Sequence, residues 1–243
     1  MFKILAILPI ALLEVILGVF FTLIGTLVGF MSAIRIRVFR SYDYRNWLKR
    51  DLADCESILE LGCGRNSPLV QIGVSHRTDA FDIWQPYVDM HNRTGSYRHC
   101  YQADILKLAL TAKYDAVVIC DVLEHLAKDE TIDLFSRIEN CATKKVILFT
   151  PNGFIENDLV DGDPYQAHLS AWEPEDYSER GYKVVGATGL RWLFGKAALP
   201  KYRPRRACAI IAMLTKPLVF HRPEWAFHSY AVKEINHANN TTR

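Results

Sequence analysis

The sequence predicts an α/β domain on a mostly parallel sheet of about seven strands with flanking helices, preceded by an N-terminal membrane helix. Three observations carry this expectation. From Ser57 onward, short β-branched or aliphatic runs alternate with stretches of helical character, the pattern of strands joined by helical crossovers. The run WAFHSYAVK at 225–233 alternates enough to be a last, antiparallel edge strand. Residues 4–34 contain one acid, Glu14, and no base.

That first segment comes to about 46 Å as a helix, against roughly 20 residues needed to cross hydrocarbon. A signal peptide has a shorter apolar region and a small-residue cleavage site, which this segment lacks. Only Lys3 precedes it, whereas Arg35, Arg37, Arg40, Arg45, Lys49 and Arg50 follow. The positive-inside rule then implies a single-pass membrane protein with its C-terminal domain on the cytoplasmic side. Pro9 and Glu14 leave open an in-plane anchor instead of a span. Either way the expected partner of 4–34 is a lipid bilayer. The expected division is a membrane anchor over 1–36, a catalytic domain over 37–235 and a polar tail over 236–243.

The remainder reads as an ordinary α/β chain. With 29 Lys plus Arg against 27 Asp plus Glu, the formal net charge of +2 gives no reason to expect nucleic acid as a partner. Six cysteines occur singly, with no C-x-x-C pair, and read as reduced thiols in the core. Residues 42–54 read as an amphipathic helix. Strands are expected at 57–61, 79–83, 97–102, 114–120, 145–150 and 181–187, with helices at 85–91 and 129–140. Asp129 and Glu130 suit the positive end of the second helix's dipole. Arg191, Lys196, Lys201, Arg203, Arg205 and Arg206 are interleaved with Trp, Phe and Leu. The segment 191–206 is therefore a candidate second contact with a membrane surface.

The turn after the first strand reads E60-L-G-C-G-R-N-S-P68. Gly62 and Gly64 allow a tight turn and a close backbone approach to a ligand. Asp82 ends the second strand, where an acid can take both hydroxyls of a ribose. Ser67 and Pro68 stand where a dinucleotide loop would place its third glycine. A carboxylate at Glu60 would also repel a pyrophosphate, so the loop suits a nucleoside carrying a cation.

The stretch D121-V-L-E-H125 follows the fourth strand. At spacings i, i+3 and i+4, Asp121, Glu124 and His125 would share one helical face. A helix cap, a substrate base and part of a metal site are all open readings. The long polar stretch 150–172 after the fifth strand carries Asn152, Glu156, Asn157, His168 and Trp172, and a loop of that length is often functional. It would lie beside the 121–125 stretch, so that His168 could face His125.

Taken together, E60-L-G-C-G64, F81-D-I-W84, Q102-A-D104 and D121-V-L-E-H125 resemble the motifs of the class I S-adenosylmethionine-dependent methyltransferases over roughly residues 43–235. The resemblance implies a Rossmann-like methyltransferase sheet, S-adenosyl-L-methionine as cofactor, and cofactor contacts from Glu60, Gly62, Gly64, Asp82, Ile83, Asp104, Ile105 and Asp121. The D-x-x-E-H motif, followed by T-P-N and a later histidine, is similar to that of a metal-using group of small-RNA 2′-O-methyltransferases. It is also similar to that of ubiquinone-pathway O-methyltransferases. The RNA group usually has glutamate where this chain has Asp121. The resemblance implies His125, His168 and Glu124 as catalytic residues, with a divalent metal at Asp121, Glu124, His125 and His168 as an open possibility. Joined to the anchor, it implies methyl transfer to a hydroxyl of a lipid-like or lipid-linked acceptor. The alternatives are a soluble or protein substrate, or a catalytically silent cofactor-binding partner of a membrane complex.

Overall fold

The computed structural model describes residues 41–157 and 161–235. Seven strands form one sheet: β1 (Ile58–Leu61), β2 (Thr78–Asp82), β3 (His99–Gln102), β4 (Tyr114–Cys120), β5 (Ala142–Pro151), β6 (Lys183–Leu190) and β7 (Ala226–Glu234). Their order is β3-β2-β1-β4-β5-β7-β6. The first five are mutually parallel, and β7 runs antiparallel between β5 and β6.

The expected antiparallel sense of the last strand is therefore found, but its place is interior and β6 is the edge. The reason lies in polar residues that the alternation assigns to solvent. The first six residues of β7 are all buried. Its His228 is 2.8 Å from the Thr188 hydroxyl, and its Ser229 hydroxyl donates to Asn152 Oδ1 at 2.6 Å.

Helices cover both faces of the sheet. α1 (Tyr44–Asp51) starts where the Asp43 side chain accepts from the Arg45 backbone N–H, and buries Trp47 and Leu48. It is shorter than the 42–54 expected, because the chain turns to enter β1. α2 (Pro68–Ile72) follows the glycine loop, capped by the Ser67 hydroxyl with proline in its first turn and ended by Gly73 in the left-handed region. α3 (Gln85–Thr94) ends likewise at Gly95. α4 (Thr131–Cys141) buries Leu134, Phe135, Ile138 and Cys141, the spacing of a single helical stripe. α5 (Pro174–Ser178), α6 (Arg205–Leu214) and α7 (Lys216–Phe220) complete the set.

One core packs α4 on the sheet through Val117, Ile119, Phe135 and Leu148. The other packs α1 through Trp47, Leu48, Val118 and Ile147. All six cysteines are free and buried. Because β2 and β4 flank β1 on opposite sides, the chain reverses its direction of winding there. The crevice beyond the carboxyl end of β1 is thus where an open α/β sheet takes its ligand.

Asn152 belongs to this frame. Its amide donates to Pro223 O at 2.8 Å and Ala226 O at 2.9 Å while its Oδ1 accepts from Ser229, and the residue is fully buried. Asn152→Ala is expected to cost about 2–3 kcal/mol, since it strands buried carbonyls and a hydroxyl. Urea unfolding would measure this, and an unchanged midpoint would contradict the assignment.

The membrane expectations need correction. Among the described residues, no helix is long and apolar enough to cross a membrane. The span expected over 4–34 falls outside the described residues, as does the domain limit at 37. The membrane helix of the expected fold class, the bilayer as partner and the single-pass localisation are therefore withdrawn. So is the lipid-like or lipid-linked acceptor, whose support was the anchor.

The second surface contact expected over 191–206 is withdrawn with them. Arg191 is turned inward, pairing with Glu173 at 3.2 Å and donating to Asn152 O at 3.3 Å. Lys196 pairs with Glu156 at 3.1 Å.

Candidate functional site

The glycine loop closes against β2 and β4. Gly62 has φ +78°, and a Cβ there would stand 2.3 Å from Val122 Cγ2, so no other residue fits without displacing the β4 turn. Gly64, at φ +52°, has nothing within 4 Å of the place a Cβ would take. It presents bare backbone to an open cavity. Two side chains hold this loop. The Gly64 N–H donates to Asp82 Oδ2 at 2.7 Å, and His91 Nε2 lies 2.8 Å from Gly64 O.

The cavity has two lobes that share Gly62, Gly64, Asp121 and Gln166. One, about 120 Å³, is lined by Asp82, Ile83, Asp104, Ile105, Val122 and His125, with Asp163 and Tyr165 above. The other, about 370 Å³, runs beneath Tyr44, Arg65, Asn66 and Tyr87. Seven residues expected from the sequence to touch the cofactor thus line one cavity. Asp82 also accepts from the Trp84 N–H at 2.8 Å, and burial raises its pKa. Its two oxygens each hold one backbone N–H and keep lone pairs for a ligand hydroxyl. Asp104 caps the Leu106 N–H at 3.0 Å and pairs with Lys107 at 2.9 Å.

Glu60 lies elsewhere. Its carboxylate accepts from Ser67 Oγ at 2.7 Å and from the Tyr97 hydroxyl at 2.6 Å. It is almost wholly buried, with burial pushing its pKa up to about 8, and it braces the loop from behind.

The 121–125 stretch is not one helical face. Asp121 has φ +53°, and only Leu123–His125 form a 3-10 turn. The kink separates Asp121 from the other two, so that only Glu124 and His125 stay close. Asp121 faces the cavity, with its side chain 51% exposed there and Oδ1 3.7 Å from His228 Nε2. Burial of the carboxyl pushes its pKa up to about 7. Glu124 turns into the protein, is 2% exposed, and has its pKa raised well above the carboxylate range, first by burial and then by Asp121.

His125 stands on the cavity wall. Its Nδ1 lies 3.2 Å from Ala167 O, which fixes that nitrogen as the N–H and leaves Nε2 with its lone pair. His168 does meet His125, with ring centroids 4.7 Å apart and nearly perpendicular. Burial lowers the pKa of His125. Burial, and then His125 itself, lower that of His168 to about 4. Both rings are neutral at pH 7.

Among the described residues, ligand atoms of Glu124, His125 and His168 come within 4.8 Å of one another. Glu124 Oε2 and His168 Nδ1 are buried without hydrogen-bond partners. One carboxylate and two imidazoles with two orphaned atoms fit a divalent cation. Asp121 stands outside this set.

Several lining residues went unread in the sequence. Asp163 caps the 3-10 turn Pro164–Gln166 by accepting from the Tyr165 N–H at 2.8 Å, and D163-P-Y was a legible cap signal. Arg65 and Asp161 join the glycine loop to the roof at 2.9 Å. Outside the cavity lining, His228 near Asp121 and its partner Thr188 carry no local signal either, because only the pairing of β6 with β7 brings them together.

Residues 59–149 match a family model described as a methyltransferase domain. No curated protein sequence matches the chain significantly. Among solved structures, DhpI in its complex with SAH is 16% identical, covering 76% of this chain and 80% of its own, with a TM-score of 0.50. An S-adenosylmethionine-dependent methyltransferase from Archaeoglobus fulgidus is 15% identical over 78% of this chain and 94% of its own, with a TM-score of 0.48. Magnesium protoporphyrin IX methyltransferase from Synechocystis with bound SAH is 16% identical over 82% and 83%, with a TM-score of 0.48. The likeness to DhpI is one of fold. The matched segment runs from β1 through β5 and contains the glycine loop, Asp82, Asp104 and the 121–125 stretch. Topology, sequence match and cavity converge: the chain has the class I S-adenosylmethionine-dependent methyltransferase fold, with a methyltransferase domain matched from β1 to β5.

Proposed function

We propose that the chain transfers the methyl group to a hydroxyl of a small-molecule or protein acceptor, with His125 as the general base. The cofactor supplies a methyl group on a sulfonium, ready for in-line displacement. The protein's share is to align the acceptor, exclude water and take one proton.

The observation that carries this reading is the state of His125. Its Nδ1 is committed to Ala167 O, its pKa is lowered by burial, and it lines the same cavity as Asp82 and Gly64. A neutral imidazole with a free Nε2 serves an acceptor that must lose a proton, and a neutral amine needs none. His168 backs the ring, and Glu124 lies within reach of both. Asp82 would hold the ribose hydroxyls, Ile83 and Ile105 the adenine faces, and Asp104 the exocyclic amine. Glu60 would act through the loop it braces. The likeness of D121-V-L-E-H125 to enzymes that methylate oxygen supports the same acceptor class.

A second reading comes from the orphaned Glu124 Oε2 and His168 Nδ1. A divalent cation on Glu124, His125 and His168 would satisfy both and lower the acceptor's pKa.

The test is transfer of a labelled methyl group from S-adenosylmethionine to pools of small hydroxylated compounds, small amines and protein. Label in an alkali-stable methyl ether of a hydroxylated compound, or on a protein hydroxyl, is expected. Label confined to amines would overturn the reading.

A further inference from the structure

Asp121 is anchored from below by its own backbone. Its N–H donates to Phe149 O at 2.8 Å, and its φ of +53° lies in the left-handed region that a side chain rarely adopts. This geometry carries the carboxylate off the line of β4 and into the space between the two cavity lobes. Its side chain meets a second, separately built device on the far strands of the sheet.

That device begins with a bulge. β6 and β7 pair in register as far as Ala187 with His228, then slip before Leu190 pairs with Ala226. Two residues of β6, Thr188 at φ +75° and Gly189 at φ +122°, there stand opposite the single Phe227 of β7. A bulge of this kind re-aims a side chain, and here it turns the Thr188 hydroxyl onto His228 Nδ1 at 2.8 Å.

The bulge is clamped from outside, since a Cβ on Gly189 would stand 2.4 Å from Ala212 O of α6. The plane of the His228 ring is set by Phe149, stacked at 4.5 Å and 18°. Burial keeps the imidazole neutral, its pKa lowered to about 3. A neutral ring that accepts the Thr188 proton at Nδ1 carries its own N–H on Nε2. Nε2 is the atom 3.7 Å from Asp121 Oδ1. That separation exceeds a direct hydrogen bond, and a small rotation of the Asp121 side chain closes it, as contacts in empty sites tighten on binding.

We propose that Thr188 and His228 are positioning residues for Asp121: the bulge on β6 fixes the imidazole, and its Nε2–H holds the Asp121 carboxylate in the orientation that receives the cationic end of S-adenosylmethionine. The inference rests on Asp121 being a cofactor-binding residue. It explains why two strained non-glycine residues flank one buried histidine. Backbone strain of this sort persists where the surroundings over-determine it.

The experiment is a coupling measurement by calorimetry with S-adenosylmethionine. His228→Phe keeps the stack on Phe149 and removes the donor, and Thr188→Val removes the hydroxyl that sets the tautomer. Each is expected to weaken binding about tenfold with Asp121 intact and less than twofold in an Asp121→Ala background. Thr188→Ser is expected to bind as the unsubstituted chain does. Residues within one network couple in this way, and independent ones add.

Equal weakening in both backgrounds, or none with Asp121 intact, overturns the proposal. Should His228→Phe not fold, the Val and Ser substitutions at Thr188 decide alone. An unsubstituted chain that fails to bind the cofactor would instead overturn the function proposed above.

Discussion

Asp82→Ala is expected to abolish measurable S-adenosylmethionine binding, a loss of about 10²- to 10⁴-fold in affinity. Two hydrogen bonds from ribose hydroxyls to a charged acceptor are worth about 1.5–3 kcal/mol each, and each 1.4 kcal/mol is a factor of ten. The carboxylate has a second duty, because it also holds the Gly64 and Trp84 N–H groups. Its removal frees the glycine loop as well. Asp82→Asn separates the two duties. The amide keeps one acceptor oxygen, so it preserves part of the loop and loses the charge. Thermal melting is expected to fall further for Ala than for Asn, with both losing most of the affinity. Full affinity retained in the Ala variant would remove Asp82 from the site.

Asp82 was also the most legible residue of the site. An acid at the end of the second strand, after a strand that ends in a glycine turn, is placed by topology alone, since parallel strands deliver their carboxyl ends to one crevice. Ile83, Asp104 and Ile105 follow from the same rule applied to β2 and β3, and all line the cavity. The parallel half of the sheet was legible for a related reason. β1, β4 and β5 carry apolar runs, and each strand of this half has its neighbour in sequence as its neighbour in space, apart from the crossing from β3 to β4.

What the sequence hid depends on contacts remote along the chain. β7 enters between β5 and β6, and only its pairing partners bury His228 and Ser229. Glu60 was placed at the right turn, but its direction was set by Ser67 and Tyr97. Tyr97 lies on the approach to β3, beyond any local pattern. The shared helical face of Asp121, Glu124 and His125 failed for a backbone reason. A left-handed aspartate has no spacing signature, since glycine is the only residue type that announces φ > 0 by identity. The meeting of His125 and His168 was readable because the loop after β5 must pass beside the loop after β4.

His125→Ala is the variant that separates the two chemical readings of that meeting. As a general base, His125 contributes about 10²- to 10⁴-fold to turnover, so kcat is expected to fall by that factor. Cofactor affinity is expected to change by less than about tenfold, because Asp82 and the glycine loop are untouched. His168→Ala and Glu124→Gln would then cost less than about tenfold, since neither takes the proton, and a chelator would leave the rate unchanged.

The pH profile has a definite sign. The base works unprotonated and burial lowers its pKa, so the acid limb lies below the ordinary histidine value of about 6.5. The rate is therefore expected to be flat from about pH 7 to 8 and to fall only on further acidification. A divalent cation predicts a different pattern. All three substitutions would cost alike, a chelator would remove activity, and an added divalent ion would restore it, because a site of one carboxylate and two imidazoles loses its ion when any ligand goes. Equal losses at Glu124, His125 and His168 would replace the base with a metal, and a dominant loss at His125 alone would retain it.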